Sequence, residues 1–341
     1  MKRLSSKRLF LLFSLSLTLV YFSERYFAHT APHSKINQMR SAVLLTEKWF
    51  NLIIEEKKKR EIPLFQINFL PYEGLIGDEY SEITTTLGSL EAKEISHNSQ
   101  FAALMVRLIS DAGIDSAGSV AIAVSGSFPS LTIATLAACQ TLQCHVTLMS
   151  SLGASSFGAN QPMMTWLDME NILQQQGGLR SRSLLITRGA EGDSGGGLPE
   201  EGIIALQKAV ERNNQKLWIP KSLIESIEKR MDTLQEKKTE LLINIGGSQP
   251  MLGGCVHGST LPNGFHRTLQ TCSDDDKGVL VRASELGIPV IHLLNINSLA
   301  LKYRIINGKE EPEEIYGIKT YNKWFAVFTI VLIFFMFYKK R

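Results

Sequence analysis

The sequence predicts an α/β fold with a mainly parallel sheet and helices on both faces (Rossmann-like, doubly wound), flanked by N- and C-terminal transmembrane helices. Three observations lead there. From Ser119 onward, short runs of β-branched and small residues alternate with longer amphipathic stretches, the pattern of repeated βα units. The chain has 341 residues, 44% of them apolar and 20% charged, enough to bury a sizeable core. An uncharged run lies near each end, Leu9 to Ser23 and Trp324 to Tyr338, with basic residues on its terminal side.

Residues 1–8 read as a basic tail and 9–25 as a membrane anchor. The run "LFLLFSLSLTLVYFS" is short for a span, so a signal peptide is the alternative. No small-x-small cleavage site follows it, and Tyr21, Phe22, Tyr26 and Phe27 suit an interfacial belt, which favours an uncleaved anchor. Residues 26–62 read as an amphipathic stalk helix, with Ile36, Met39, Val43, Trp49, Phe50, Ile53 and Ile54 apolar and "EEKKKRE" closing it. Residues 63–320 form the α/β domain, 321–338 the C-terminal transmembrane helix and 339–341 a second basic tail. Basic clusters on both terminal sides place both termini in the cytoplasm and the domain outside the plasma membrane, with the lipid bilayer as a partner.

Within the domain, residues 63–96 suggest short strands and loops, from "FQINFL", two prolines and a threonine run. A helix is expected over 97–112, stopped by Gly113. Strands are expected at "SVAIAVSG", "CHVTLMSS", "SRSLLITRG", "KLWIP", "TELLINIGGS" and "IPVIHLLN". Helices are expected at "PSLTIATLAACQTL", "QPMMTWLDMENILQQQGG", "LPEEGIIALQKAVERN", "KSLIESIEKRMDTLQEKK", "DDDKGVLVRASELG" and "INSLALKYRI". Pro199 suits the first turn of its helix, and Glu200 and Glu201 suit its dipole. The net charge of +3 and the lack of any nucleic-acid motif exclude nucleic acid as a partner.

The pentapeptide Gly192-Asp193-Ser194-Gly195-Gly196 spells the nucleophile signature of chymotrypsin-like proteases. Here it stands between a strand and a helix, not in an antiparallel barrel, and none of His29, His33, His97 or His145 sits in a protease-like setting. It reads as a flexible βα loop whose glycines permit tight turns.

Ligands in a parallel sheet bind beyond the carboxyl ends of the strands, which nominates four loops. Ser125, Gly126 and Ser127 lead into a helix, where free N–H groups suit an anion; N-capping by Ser127 or Ser130 is the other use of the same groups. The long loop from Ser150 holds Ser151 and ends at Asn160. Arg188 follows the third strand and suits a carboxylate or phosphate. Gly246, Gly247 and Ser248 allow close backbone approach. Asp168 and Glu170, two apart on one helix, point to different faces and read as surface charges. Ser127, Ser151 or Ser194 is a candidate nucleophile and His257 a candidate base if the chain is an enzyme. No dinucleotide fingerprint or Walker A sequence occurs, so no cofactor is implied. His257, His266 and "SDDDK" lack metal-ligand spacing and read as solvated loops. Cys139, Cys144, Cys255 and Cys272 allow three disulfide pairings or buried thiols, and the spacing does not choose.

The strings "SGSFPSLTIATLAA", "TLMSSLGASSFGANQPMMTWLDME" and "INIGGSQPMLGG" resemble the membrane-associated poly-gamma-glutamate system protein family over roughly residues 70–310. The resemblance implies an accessory role in synthesis or export of that polymer, with the polymer or the synthase and export subunits as partners. It supplies no catalytic residues. A hydrolase or transferase acting on the polymer and a small-anion-binding module are the alternatives.

Overall fold

The computed structural model describes residues 10, 13, 14, 18, 19, 21, 28–67, 70, 71, 74–114, 116–253, 261–269, 277–305, 310–321, 327 and 331. The strands are β1 (Ala28–Pro32), β2 (Gln66–Ile67), β3 (Leu70–Pro71), β4 (Thr84–Thr86), β5 (Ser119–Ser125) and β6 (His145–Ser151). They continue with β7 (Ala154–Ser155), β8 (Ser183–Thr187), β9 (Leu241–Ile245), β10 (Gly264–His266), β11 (Val290–Leu293) and β12 (Gly317–Tyr321). The helices are α1 (Ile36–Lys59), α2 (Leu90–Ser96), α3 (Gln100–Asp111), α4 (Pro129–Thr141) and α5 (Trp166–Ile172), which runs on as a π-helical turn, Leu173–Gly177. After them come α6 (Glu200–Arg212), α7 (Leu223–Glu236), α8 (Gln249–Leu252), α9 (Val279–Glu285) and α10 (Ile296–Lys302).

The chain divides into two units. In the unit Met1–Ile36 with Tyr316–Arg341, β1 and β12 form an antiparallel ribbon, Ala28 opposite Tyr321 and Pro32 opposite Gly317. The unit Asn37–Ile315 holds a six-stranded sheet in the order β10-β11-β9-β5-β6-β8. Its strands run parallel except β10, which pairs antiparallel with β11, so the sheet is mixed. β5 and β9 are buried almost throughout, as central parallel strands covered on both faces must be. Ala121, Ala123, Met149, Leu185 and Leu242 share one core with Ile227, Met231 and Leu234 of α7 and with Val279, Leu280 and Val281 of α9. The alternate positions Val120, Ile122, Leu148, Ile186 and Ile243 are buried as well.

The flanking transmembrane helices, and with them the two-span plasma-membrane layout, are overturned. Among the described residues no helix is long and apolar enough to cross a membrane. A span needs about 20 apolar residues in one helix, and both terminal runs are shorter. Most of residues 9–25 and 321–338 lie outside the described residues. "KLWIP" is not a strand: Trp218 N–H reaches the Ile186 carbonyl at 2.8 Å, but Pro220 has no N–H with which to continue a ladder.

Candidate functional site

The chain builds β5, β6 and β8 in one direction, then returns to add β9 and β11 on the other side of β5. The reversal lies between β5 and β9, where the connecting loops diverge and leave a crevice. A cleft of 610 Å³ occupies that position. Every parallel strand sends residues to it from its carboxyl end: Ser125, Ser127 and Phe128 from β5, Ser151, Gly153 and Ser155 from β6, and Gly189, Ala190 and Glu191 from β8. β9 contributes Gly247, Ser248 and Gln249, and β11 contributes Leu294. The rest of the wall is Gly196, Gly197 and Leu198 from the loop after β8 and the segment Thr85–Ser89 with Ala92 and Lys93 of α2.

Lys93 is the functional residue that the sequence reading missed, because 63–96 was expected to hold only short strands and loops. Ser89 caps α2 by accepting from Ala92 N–H at 3.3 Å, and Glu91 sits in the first turn, a legible start signal. The burial of Lys93 was not legible, since lysine is a surface residue by default. Its side chain is 3% exposed. Nζ donates to Ser155 Oγ at 2.9 Å and to the Ser127 carbonyl, and lies 3.7 Å from the centre of the Phe128 ring. Among the described residues no carboxylate pairs with it, and burial pushes its pKa down to about 7. The amine is therefore about half neutral near neutral pH.

Of the expected site residues, Ser125, Ser127, Ser151, Gly247 and Ser248 meet on the cleft. Ser127 Oγ accepts from Ser155 N–H at 3.0 Å. Ser125 Oγ is buried without a hydrogen-bond partner. Gly246 has φ +93°, and a Cβ there would stand 2.2 Å from Ser125 Oγ. Gly126 serves a chain crossing instead: its N–H donates to the carbonyls of Ser151 (3.0 Å) and Gly153 (3.2 Å), and a Cβ would meet the Leu152 carbonyl at 2.7 Å. Asn160 fixes the Asp78–Thr84 segment, accepting from Asp78 N–H (3.0 Å) and donating to Thr84 Oγ1 (2.9 Å), away from the cleft lining. Arg188 also lies off the lining and reaches only the Ser194 carbonyl, at 3.4 Å.

The glycine-rich loop after β8 is held in place. Gly189, Ala190, Gly192, Asp193, Gly195 and Gly197 all take positive φ, and the loop closes on itself through Gly195 N–H to Gly189 O (2.9 Å) and Gly196 N–H to Glu191 O (3.1 Å). Asp193, not Ser194, is its working letter. The Asp193 carboxylate is fully buried and accepts from Ser151 Oγ (2.8 Å), Thr187 Oγ1 (2.8 Å) and Ser226 Oγ (2.7 Å), and it pairs with buried Arg230 at 2.9 Å. Ser194 Oγ donates to the Glu191 carbonyl at 3.3 Å and meets no base.

Asp168 and Glu170 are buried, which overturns their reading as surface charges. They do point apart. Asp168 closes a capping box with Thr165 and binds Arg212 and Asn213, while Glu170 accepts from Ser183 N–H at 2.6 Å. Burial raises the Glu170 pKa, opposed by the Ser183 hydrogen bonds. Cys139 and Cys144 are free thiols rather than a disulfide. Cys255, Cys272 and His257 lie outside the described residues. His266 Nε2 lies 3.2 Å from the Asn263 carbonyl on the β10 edge, not at the cleft.

No family model and no curated protein matches the chain. Among solved structures, an archaeal alanine:glyoxylate aminotransferase aligns at 9% identity with a TM-score of 0.22, over 91% of this chain. The chain spans 60% of the length of that structure, and at such a TM-score the likeness carries no argument.

Proposed function

We propose that the chain is a hydrolase or acyl transferase in which Ser155 is the nucleophile and Lys93 its general base. The observation that carries this reading is the 2.9 Å contact between Lys93 Nζ and Ser155 Oγ, made on a cleft by an amine with no carboxylate partner. A serine hydroxyl is a weak nucleophile until a neighbouring base removes its proton, and a base works best with a pKa near the operating pH. Burial brings Lys93 to that range, about 7.

Neutral Lys93 takes the Ser155 proton as Oγ attacks the acyl carbon. The resulting ammonium gives that proton to the leaving nitrogen or oxygen as its bond to the acyl carbon breaks. Water then gives a proton to Lys93 and its oxygen attacks the serine ester, and Ser155 leaves with the proton back on Oγ. A different acceptor in place of water makes the reaction a transfer. The sequence resemblance to the poly-gamma-glutamate system proteins supports that polymer, a chain of amide bonds, as the first substrate to try.

The test is labelling of the full chain with a fluorophosphonate, with the site located by mass spectrometry. Ser155 is the expected site. Labelling rises with pH through about 7 as Lys93 loses its proton, and falls at least tenfold in Lys93→Met. The titratable groups nearest Lys93 in sequence are Glu91 and Glu94 on its own helix and His97 at its C-cap, and Glu191 lies on the same cleft lining; burial holds His97 to about 4, below that window. Labelling at another serine, or none, overturns the reading.

A further inference from the structure

The N-terminus of α4 reaches the cleft through Ser127 and Phe128, and its first turn is uncapped. Phe128 is the N-cap residue and its side chain has no acceptor to offer. The two serines that could replace it are engaged elsewhere: Ser127 Oγ accepts from Ser155 N–H at 3.0 Å, and Ser130 Oγ lies 3.5 Å from His97 Nδ1. The orphan N–H groups of a helix start give a partial positive charge of about half a unit.

Beside this helix start lies a second and independent feature. Ser125 is 6% exposed, lines the same cleft, and its hydroxyl has no hydrogen-bond partner among the described residues. A buried hydroxyl left unpaired is destabilising, so one kept on the lining of a cleft suits a ligand that supplies the partner. The neighbouring Gly246 keeps the space open, since any side chain there would stand 2.2 Å from that hydroxyl.

We infer that the cleft seats a carboxylate between the α4 N-terminus and Ser125 Oγ, so that the substrate is an acyl compound carrying a free carboxylate. The assignment of a substrate rests on the acyl-transfer reading above; the anion seat does not. The charge balance selects a monoanion. At pH 8 Lys93 on the same lining is mostly neutral, so one helix start and a neutral hydroxyl supply less than a full positive charge, and Glu191 there disfavours a dianion such as phosphate.

The test is calorimetric titration of the full chain at pH 8 with butyrate, a monocarboxylate, and with inorganic phosphate in a parallel arm. Saturable butyrate binding is expected, at least tenfold weaker in Ser125→Ala and tighter than phosphate. No butyrate binding, or binding indifferent to Ser125→Ala, overturns the seat, and tighter phosphate binding overturns the carboxylate. The thermal unfolding midpoint of Ser125→Ala, expected within a few degrees of wild type, separates a lost contact from a lost fold. Butyrate binding without fluorophosphonate labelling of Ser155 breaks the acyl-transfer reading alone, and labelling without butyrate binding breaks the seat alone.

Discussion

Asp193 shows what one residue can do inside a misleading motif. Its carboxylate has no solvent and depends on three hydroxyls and one guanidinium. Removing one partner of such a pair leaves the other charge buried and uncompensated, at a cost of about 3–5 kcal/mol. Asp193→Asn is therefore expected to lower the unfolding free energy by that amount in urea titration. Asp193→Asn with Arg230→Met is expected to recover part of the loss, because the stranded guanidinium is gone. A double-variant loss equal to the sum of the Asp193→Asn and Arg230→Met losses would show that the pair is not coupled. The letters "GDSGG" could announce a βα turn, and the many positive φ values bear that out. They could not announce the partners, because Ser151, Thr187, Ser226 and Arg230 come from positions scattered over 80 residues.

At the scale of elements, the repeated βα units of 119–302 were legible because strand and helix periodicities differ and each run has its own stop. β5, β6, β8, β9 and β11 fall within the runs read as strands, and α4, α6, α7, α9 and α10 within those read as helices. β7, α8, β10 and α2 are among the elements that escaped. β10 is only three residues long and depends on antiparallel pairing with β11, a tertiary contact that leaves no local pattern. α2 is seven residues of good helix formers in a stretch dominated by its proline and threonine neighbours. The turn between β9 and α8 is where an element boundary fixes the site. At Gly246, φ +93° is strained for any L side chain, and the approach to Ser125 is shorter than van der Waals contact. Gly246→Ala is expected to cost about 1–3 kcal/mol in urea unfolding. A cost of a few tenths would show that the turn and Ser125 yield.

The whole molecule feels Lys93 through proton linkage. Its pKa is about 7 in the fold against an ordinary lysine value of 10.5. Below pH 7 both states carry the proton and the burial penalty is constant. Between about 7 and 10.5 the unfolded chain binds a proton that the folded chain does not, so stability rises with pH, by up to about 1.4 kcal/mol per unit. Wild type measured against Lys93→Met by urea unfolding at pH 7, 8 and 9 is expected to gain by about that slope, which also removes the contribution of buried Lys57. A flat difference would mean that Lys93 keeps its proton in the fold. The sheet order that creates the cleft could not be read locally either. Repeated βα units predict parallel strands, but not that β9 returns beside β5 and makes a reversal there.

The two walls of the cleft are fastened by unlike means. On the β8 side, the Asp193 pair rivets a loop to β6, β8 and α7 beneath the surface. On the α2 side, one amine reaches across to Ser127 and Ser155, beside the two-position pairing of β4 with β7. A ligand that captures the Lys93 amine would undo that cross-tie while the riveted wall stays put. The group assigned to take the proton is thus also the cross-tie between the α2 wall and the loops after β5 and β6.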